Sequence, residues 1–144
     1  MTIRLVNGPN LALLGKREPG IYGQETLDHI VAAVTRRAAA KRVKVEAFQS
    51  DIEGELVRYI GRSRGKADGL LLNAGAYTHT SIAIRDAVAA FGLPCVEVHL
   101  SNVHSRESFR HHSYLTGVCI GLVLGFGAYS YELALDALVR HLRK

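Results

Sequence analysis

Apolar residues in this chain follow two alternating rhythms. Short apolar runs recur at positions 3–6, 43–49, 69–73, 95–100 and 118–124, each the length of a strand and bounded by polar or turn-forming residues. Between most of them, apolar side chains return at helical spacing. Leu27, Ile30, Val31 and Val34 share one helical face, as do Leu56, Val57 and Ile60. Ile82, Ile84, Ala87 and Val88 mark a third helix, and Leu133, Leu135, Leu138 and Leu142 a fourth. Strands that alternate with helices predict a parallel sheet covered on both faces. No linker, repeat or low-complexity segment interrupts the pattern, so residues 1–144 are expected to form one doubly wound α/β domain on a five-stranded parallel sheet.

That architecture predicts where chemistry belongs. Ligands of such sheets bind beyond the carboxyl ends of the strands, near the point where strand order reverses. The segments that follow the predicted strands hold nearly all the unusual polar residues of the chain. After the first strand comes a long loop rich in turn formers, NGPNLALLGKREPGIYG (7–23), with Asn10, Arg17 and Tyr22. Loops of this length in small domains are usually functional or disordered. A tyrosine is a base only as its phenolate, and a guanidinium such as Arg17 stabilises that anion.

After the third strand, Asn73 and His79 offer donors and acceptors, and Thr80 is expected to cap the next helix. Near the end of the fourth, alternation puts Glu97 and His99 on one face. A carboxylate against an imidazole fixes its tautomer and supports a general acid. A lone strand histidine is more often a satisfied core residue; the same-face Glu97 favours function. Arg106 and Arg110 are four residues apart, and a short helix would present both guanidinium forks to a carboxylate or polyol.

Composition narrows the classes. The chain has 144 residues, 48% of them hydrophobic, enough for a sizeable core. The longest apolar run, 118–128, is broken by glycines and falls short of the roughly 20 residues of a membrane helix. Arg4 interrupts the apolar start, so no signal peptide is expected. Cys95 and Cys119, with no CxxC spacing, fit two reduced, buried thiols in strands of a cytoplasmic protein. The formal net charge is +5, part of it clustered at Arg36, Arg37, Lys41, Arg42 and Lys44. Such cations complement helix ends. Nucleic-acid binding stays open as an alternative, as does an anion cradle at 7–15, although that loop lacks the usual phosphate-binding patterns. A metal set drawn from Glu97, His99, His104, His111 and His112 matches no recognised spacing.

Six separate segments, in order along the chain, carry a resemblance. They are NGPNLALLGKREPGIYG, QSDIEGELV, LNAGAYTHTSIAIRDA, VEVHLSN, RESFRHHSY and GFGAYSYELAL. From end to end the chain resembles the type II 3-dehydroquinate dehydratase family. The resemblance implies a flavodoxin-like fold and dehydration of 3-dehydroquinate to 3-dehydroshikimate, with neither metal nor organic cofactor. It implies Tyr22 as base, Arg17 as the stabiliser of its phenolate, and Asn10 as holder of a water at the developing enolate oxygen. His99, oriented by Glu97, would protonate the departing hydroxyl. Asn73, His79 and Arg110 would bind ring hydroxyls, and the backbone amides of Leu100 and Ser101 the carboxylate. Arg106 would assist near the loop. Asp86 would reach a neighbouring subunit's site, in trimers assembled into dodecamers. Ala12, Asp51, Ala74 and Ser130 depart from the commoner family pattern, and none of them replaces a residue given a chemical role. Neither nucleic acid nor membrane is an expected partner.

Overall fold

The structure, a computed structural model, describes every residue except Arg17 and Gly23, and the side chains of Pro19 and Tyr22 are also outside what it describes. Five strands form one sheet: β1 (Thr2–Asn7), β2 (Lys44–Gln49), β3 (Gly69–Asn73), β4 (Cys95–Val98) and β5 (Gly121–Val123). All pairings are parallel and the order is β2-β1-β3-β4-β5. The helices are the short α1 (Pro19–Tyr22), then α2 (Leu27–Ala40), α3 (Glu53–Arg62), α4 (Ile82–Phe91) and α5 (Tyr129–Leu142). The expected α/β architecture and its five parallel strands are those observed.

Burial on both faces explains the near-continuous apolar strands. In β3, Leu70 and Leu72 pack with Leu56, Ile60, Ile84 and Phe91 of α3 and α4. Leu71, pointing the other way, joins Ile30, Val34, Leu135 and Leu138 of α2 and α5. Truncating a leucine at such a position typically costs about 2–5 kcal/mol.

Several boundaries differ from the sequence expectation. β4 stops at Val98, before Leu100, although His99 N–H still donates to the Val123 carbonyl of β5 at 3.0 Å, so the strand alternation carries on to His99. The expected strand at 118–124 shrinks to Gly121–Val123, and Thr116–Val118 is a 3-10 turn. Gly121 and the sheet edge account for this: among the described residues one side of β5 has no partner strand, and its Leu122 is exposed. Cys119 is therefore outside any strand and only half-buried, with its Sγ 3.5 Å from that of buried Cys95. That contact, together with burial, pushes the Cys95 thiol pKa up. The cap of α4 is Ser81, whose hydroxyl accepts from Ile84 N–H at 2.9 Å; Thr80 instead ends the preceding 3-10 turn.

Two cations of the basic cluster around the end of α2 are answered by α5. Arg37 pairs with Glu132 and Asp136 at 3.0 and 2.6 Å, and Lys41 reaches Asp136 at 3.2 Å. Lys44 pairs with Glu46 at 2.6 Å. These cations fasten the chain to itself, which weakens the nucleic-acid reading.

Candidate active site

Strand order reverses at β1, which has β2 on one side and β3 on the other. The chain leaving β1 lies tight against the end of β3. Gly8 N–H donates to the Asn73 carbonyl at 2.7 Å, and a Cβ on Gly8 would come within 2.5 Å of the Ala74 oxygen. Only glycine fits there. A pocket opens at this place, walled by Asn10, Asn73, His79, His99, Leu100, Ser101, Arg106 and Arg110, all named from sequence. Arg17 and the Tyr22 side chain are outside the described residues. Asp86 is on α4, exposed and paired with Arg85 at 3.2 Å; it does not reach this pocket within one chain.

The centre of the site is the tip of β4. His99 Nε2 lies 2.5 Å from Glu97 Oε2, and both side chains are almost fully buried. Burial alone would push the Glu97 pKa up, but bonds from His99, Thr116 and Ser113 outweigh it and hold the carboxyl below its ordinary value. Glu97 is therefore an anion at neutral pH. With Nε2 committed to that anion, Nδ1 is the ring nitrogen left for a ligand.

His79 is arranged differently. Burial lowers its pKa, and the charges of His99 and Arg110 add to that. As a neutral ring it donates Nδ1–H to the His112 carbonyl at 2.7 Å, which leaves Nε2 as an acceptor for a hydroxyl. Its ring stacks beside that of His99, with centroids 6.5 Å apart.

Asn73 is held from within the core. Its Nδ2 donates to the Tyr131 hydroxyl at 2.7 Å, and its Oδ1 accepts from Gly75 N–H at 3.1 Å. Tyr131 in turn donates to Asn7 Oδ1 at 2.8 Å. Burial pushes the Tyr131 phenol pKa far up, so it stays a neutral hydroxyl.

The expected short helix carrying Arg106 and Arg110 does not form. Two 3-10 turns, Val103–Ser105 and Ser108–Arg110, stand there with an extended Arg106 between them. The guanidinium groups still converge. Arg106 donates to Ser101 Oγ at 3.3 Å, and Arg110 is steered by Glu107 at 2.7 Å. The loop geometry, not helical spacing, brings them to one wall.

Asn10 has a left-handed backbone, φ 67°, a conformation that asparagine tolerates better than most residues. Its N–H donates to Asp51 Oδ1 at 2.9 Å, and Gln49 bridges Asp51 and the Gly8 carbonyl at 3.1 Å each. Asp51, singled out only as a departure from pattern, is thus a brace for the loop that carries Asn10. The carboxylate occupies the Asn10 amide, so that N–H cannot cradle a phosphate.

Sequence reasoning missed Ser113, Thr116, Asp51, Gln49 and Tyr131. No spacing rule links them to the site: Ser113 and Thr116 come from the loop after β4, Gln49 and Asp51 from the end of β2, and Tyr131 from α5. Among the described residues, no three His, Cys, Asp or Glu side chains come together as a metal site.

A family model of class II dehydroquinase matches residues 1–139. The chain belongs to that family. It is 56% identical to the 3-dehydroquinate dehydratase of Synechococcus sp. (strain WH7803), over 99% of this chain and 97% of that one. It is likewise 56% identical to the 3-dehydroquinate dehydratase of Jannaschia sp. (strain CCS1), covering all of this chain and 97% of the relative. Among solved structures, the type II dehydroquinase of Butyrivibrio crossotus superposes with a TM-score of 0.94 at 42% identity, covering 96% of this chain and 97% of that one. The pocket at the β1/β3 reversal is therefore the candidate active site of a class II dehydroquinase.

Proposed function

We propose that this chain is a type II 3-dehydroquinate dehydratase, a hydro-lyase that interconverts 3-dehydroquinate and 3-dehydroshikimate through an enolate. The observation that carries the reading is the Glu97–His99 pair, 2.5 Å apart at the edge of a pocket rich in hydroxyl-binding groups. Membership of the dehydroquinase family supplies the substrate.

In this scheme the Tyr22 phenolate removes the proton next to the ketone, and Arg17 stabilises that phenolate. The electrons move into the carbonyl, whose developing oxyanion is met by a water held at Asn10. His99 then donates its proton to the β-hydroxyl as the C–O bond breaks, so water leaves and the conjugated enone forms. Proton and hydroxyl together balance the loss of one water. Glu97, already anionic, stabilises the imidazolium that must precede this step.

Asn73, His79 and Arg110 bind the ring hydroxyls. The Leu100 and Ser101 amides, with Arg106 beside them, take the carboxylate. Asp86, on an outer helix, acts in a neighbouring subunit's site within a dodecamer of trimers. Among the described residues no helix is long and apolar enough to cross a membrane.

An ultraviolet assay with 3-dehydroquinate, following the product enone, tests the reading. Wild-type turnover and none by a folded Tyr22→Phe variant is the expected result. A folded, oligomeric wild type without turnover overturns it. Light scattering on the same sample reads the assembly, and a fully active monomer would remove the role given to Asp86.

A further inference from the structure

Glu97 holds a formal charge inside the protein with 1% of its surface exposed. Such a carboxylate survives burial only when hydrogen bonds satisfy its oxygens. Its partners are unusually complete. Oε2 takes the His99 ring at 2.5 Å and the Ser113 hydroxyl at 3.1 Å. Oε1 takes the Ser113 hydroxyl at 3.0 Å and that of Thr116 at 2.5 Å.

The direction of these bonds is fixed by Ser113. Its Oγ accepts two backbone N–H groups, from Leu115 at 3.0 Å and from Thr116 at 3.2 Å. With its lone pairs filled, its single proton is free only for Glu97, which must accept it. Thr116 approaches at the length of a bond from a hydroxyl to an anion. Every neighbour of the carboxyl therefore donates, and only the ionised form accepts from all of them.

We propose that Ser113 and Thr116 are positioning residues for the reaction, whose hydroxyls keep Glu97 ionised so that it can hold the His99 ring and its proton. The inference rests on His99 as the acid. Without these donors Glu97 would take up a proton at higher pH, become a donor itself and release its hold on Nε2. The other titratable or charged groups around the pair are Cys95 on β4, His79 from the loop after β3, and Arg110, His104 and His111 from the loop after β4. The facing residue of β5, Leu122, is apolar. Thr116 is the cleaner probe, because Ser113 also ties down its own turn.

The test compares Thr116→Val with Thr116→Ser on the intact enzyme, by steady-state kinetics across pH. Thr116→Val should lower kcat about tenfold, the loss of one bond to a charged group. KM should change little, and the acidic limb of the kcat profile should move to higher pH. Thr116→Ser, which keeps the hydroxyl, should restore both. In the free enzyme, carbon-13 NMR of the Glu97 carboxyl should show it titrating at higher pH in Thr116→Val. Ser113→Ala should move the limb in the same direction. Profiles that superimpose on wild type in both the valine and alanine variants overturn the proposal, as does a serine variant as damaged as the valine one. His99→Ala separates the two ideas: if it turns over normally, the acid assignment has failed. If it is inactive while the Glu97 titration is the same in Thr116→Val and wild type, only the role of the hydroxyls has failed.

Discussion

The tips of β4 and β1 face the same pocket but hold their polar groups by opposite means. At β4, Glu97 and His99 are sealed in the protein, 1% and 6% exposed, and are fixed by side chains of the following loop. At β1, Asn10 is exposed on a left-handed turn and is braced from outside by Asp51 and Gln49. Inside, low polarisability makes each bond strong and each missing partner costly. Outside, water competes for every group, so the brace sets a shape more than it stores energy. A proton donor needs the first environment. A loop that must admit a substrate needs the second.

The largest expected effect breaks the β4 side. His99→Ala should lower kcat by about a thousandfold, within the usual range for a general acid, with a much smaller change in KM. Steady-state enone formation measures both, and a loss under tenfold would mean the buried pair is structural.

On the β1 side the expected effect is smaller. Asp51→Ala removes an exposed bond to the Asn10 amide, and kcat/KM should fall by roughly tenfold or less while thermal stability drops by about 1 kcal/mol. A loss as large as that of His99→Ala would erase the contrast between the two tips.

The smallest effect sharpens it through pH. Because the folded protein holds the Glu97 carboxyl below its ordinary value, the unfolded chain binds that proton more readily. Its contribution to stability is complete above the ordinary carboxylate range and fades as the pH falls through the lowered folded value. Urea unfolding should therefore show wild type losing stability below that range more steeply than Glu97→Gln. Equal slopes for wild type and Glu97→Gln would remove the anion from the account.

Much of this was legible along the chain. The alternation of strand and helix rhythms implied a sheet buried on both faces, and β3 shows why. Its consecutive leucines serve two cores at once. The i, i+2 spacing of Glu97 and His99 placed them together because a strand alternates strictly. The spacing argument failed for Arg106 and Arg110. There the chain is turn and extended loop, with no period to read, and their convergence depends on Ser101 and Glu107. It failed again for the last strand, where Gly121 and a missing partner on one edge shortened the ladder. Thr80 was the expected cap of the helix after β3, and Ser81 takes that place. The preceding 3-10 turn extends far enough to claim Thr80 for its own end.

By itself the sequence determined the repeating structure, the family, and which residue types stand at the strand ends, because these follow from local periodicity and from identity at fixed positions. The tertiary structure decided how those residues are held. Ser113 and Thr116 reach Glu97 across 16 and 19 residues, Asp51 reaches Asn10 across 41, and Tyr131 reaches Asn73 across 58. A hydrogen bond acts over about 3 Å, and no sequence spacing encodes such proximity until the sheet has brought its loops to one end.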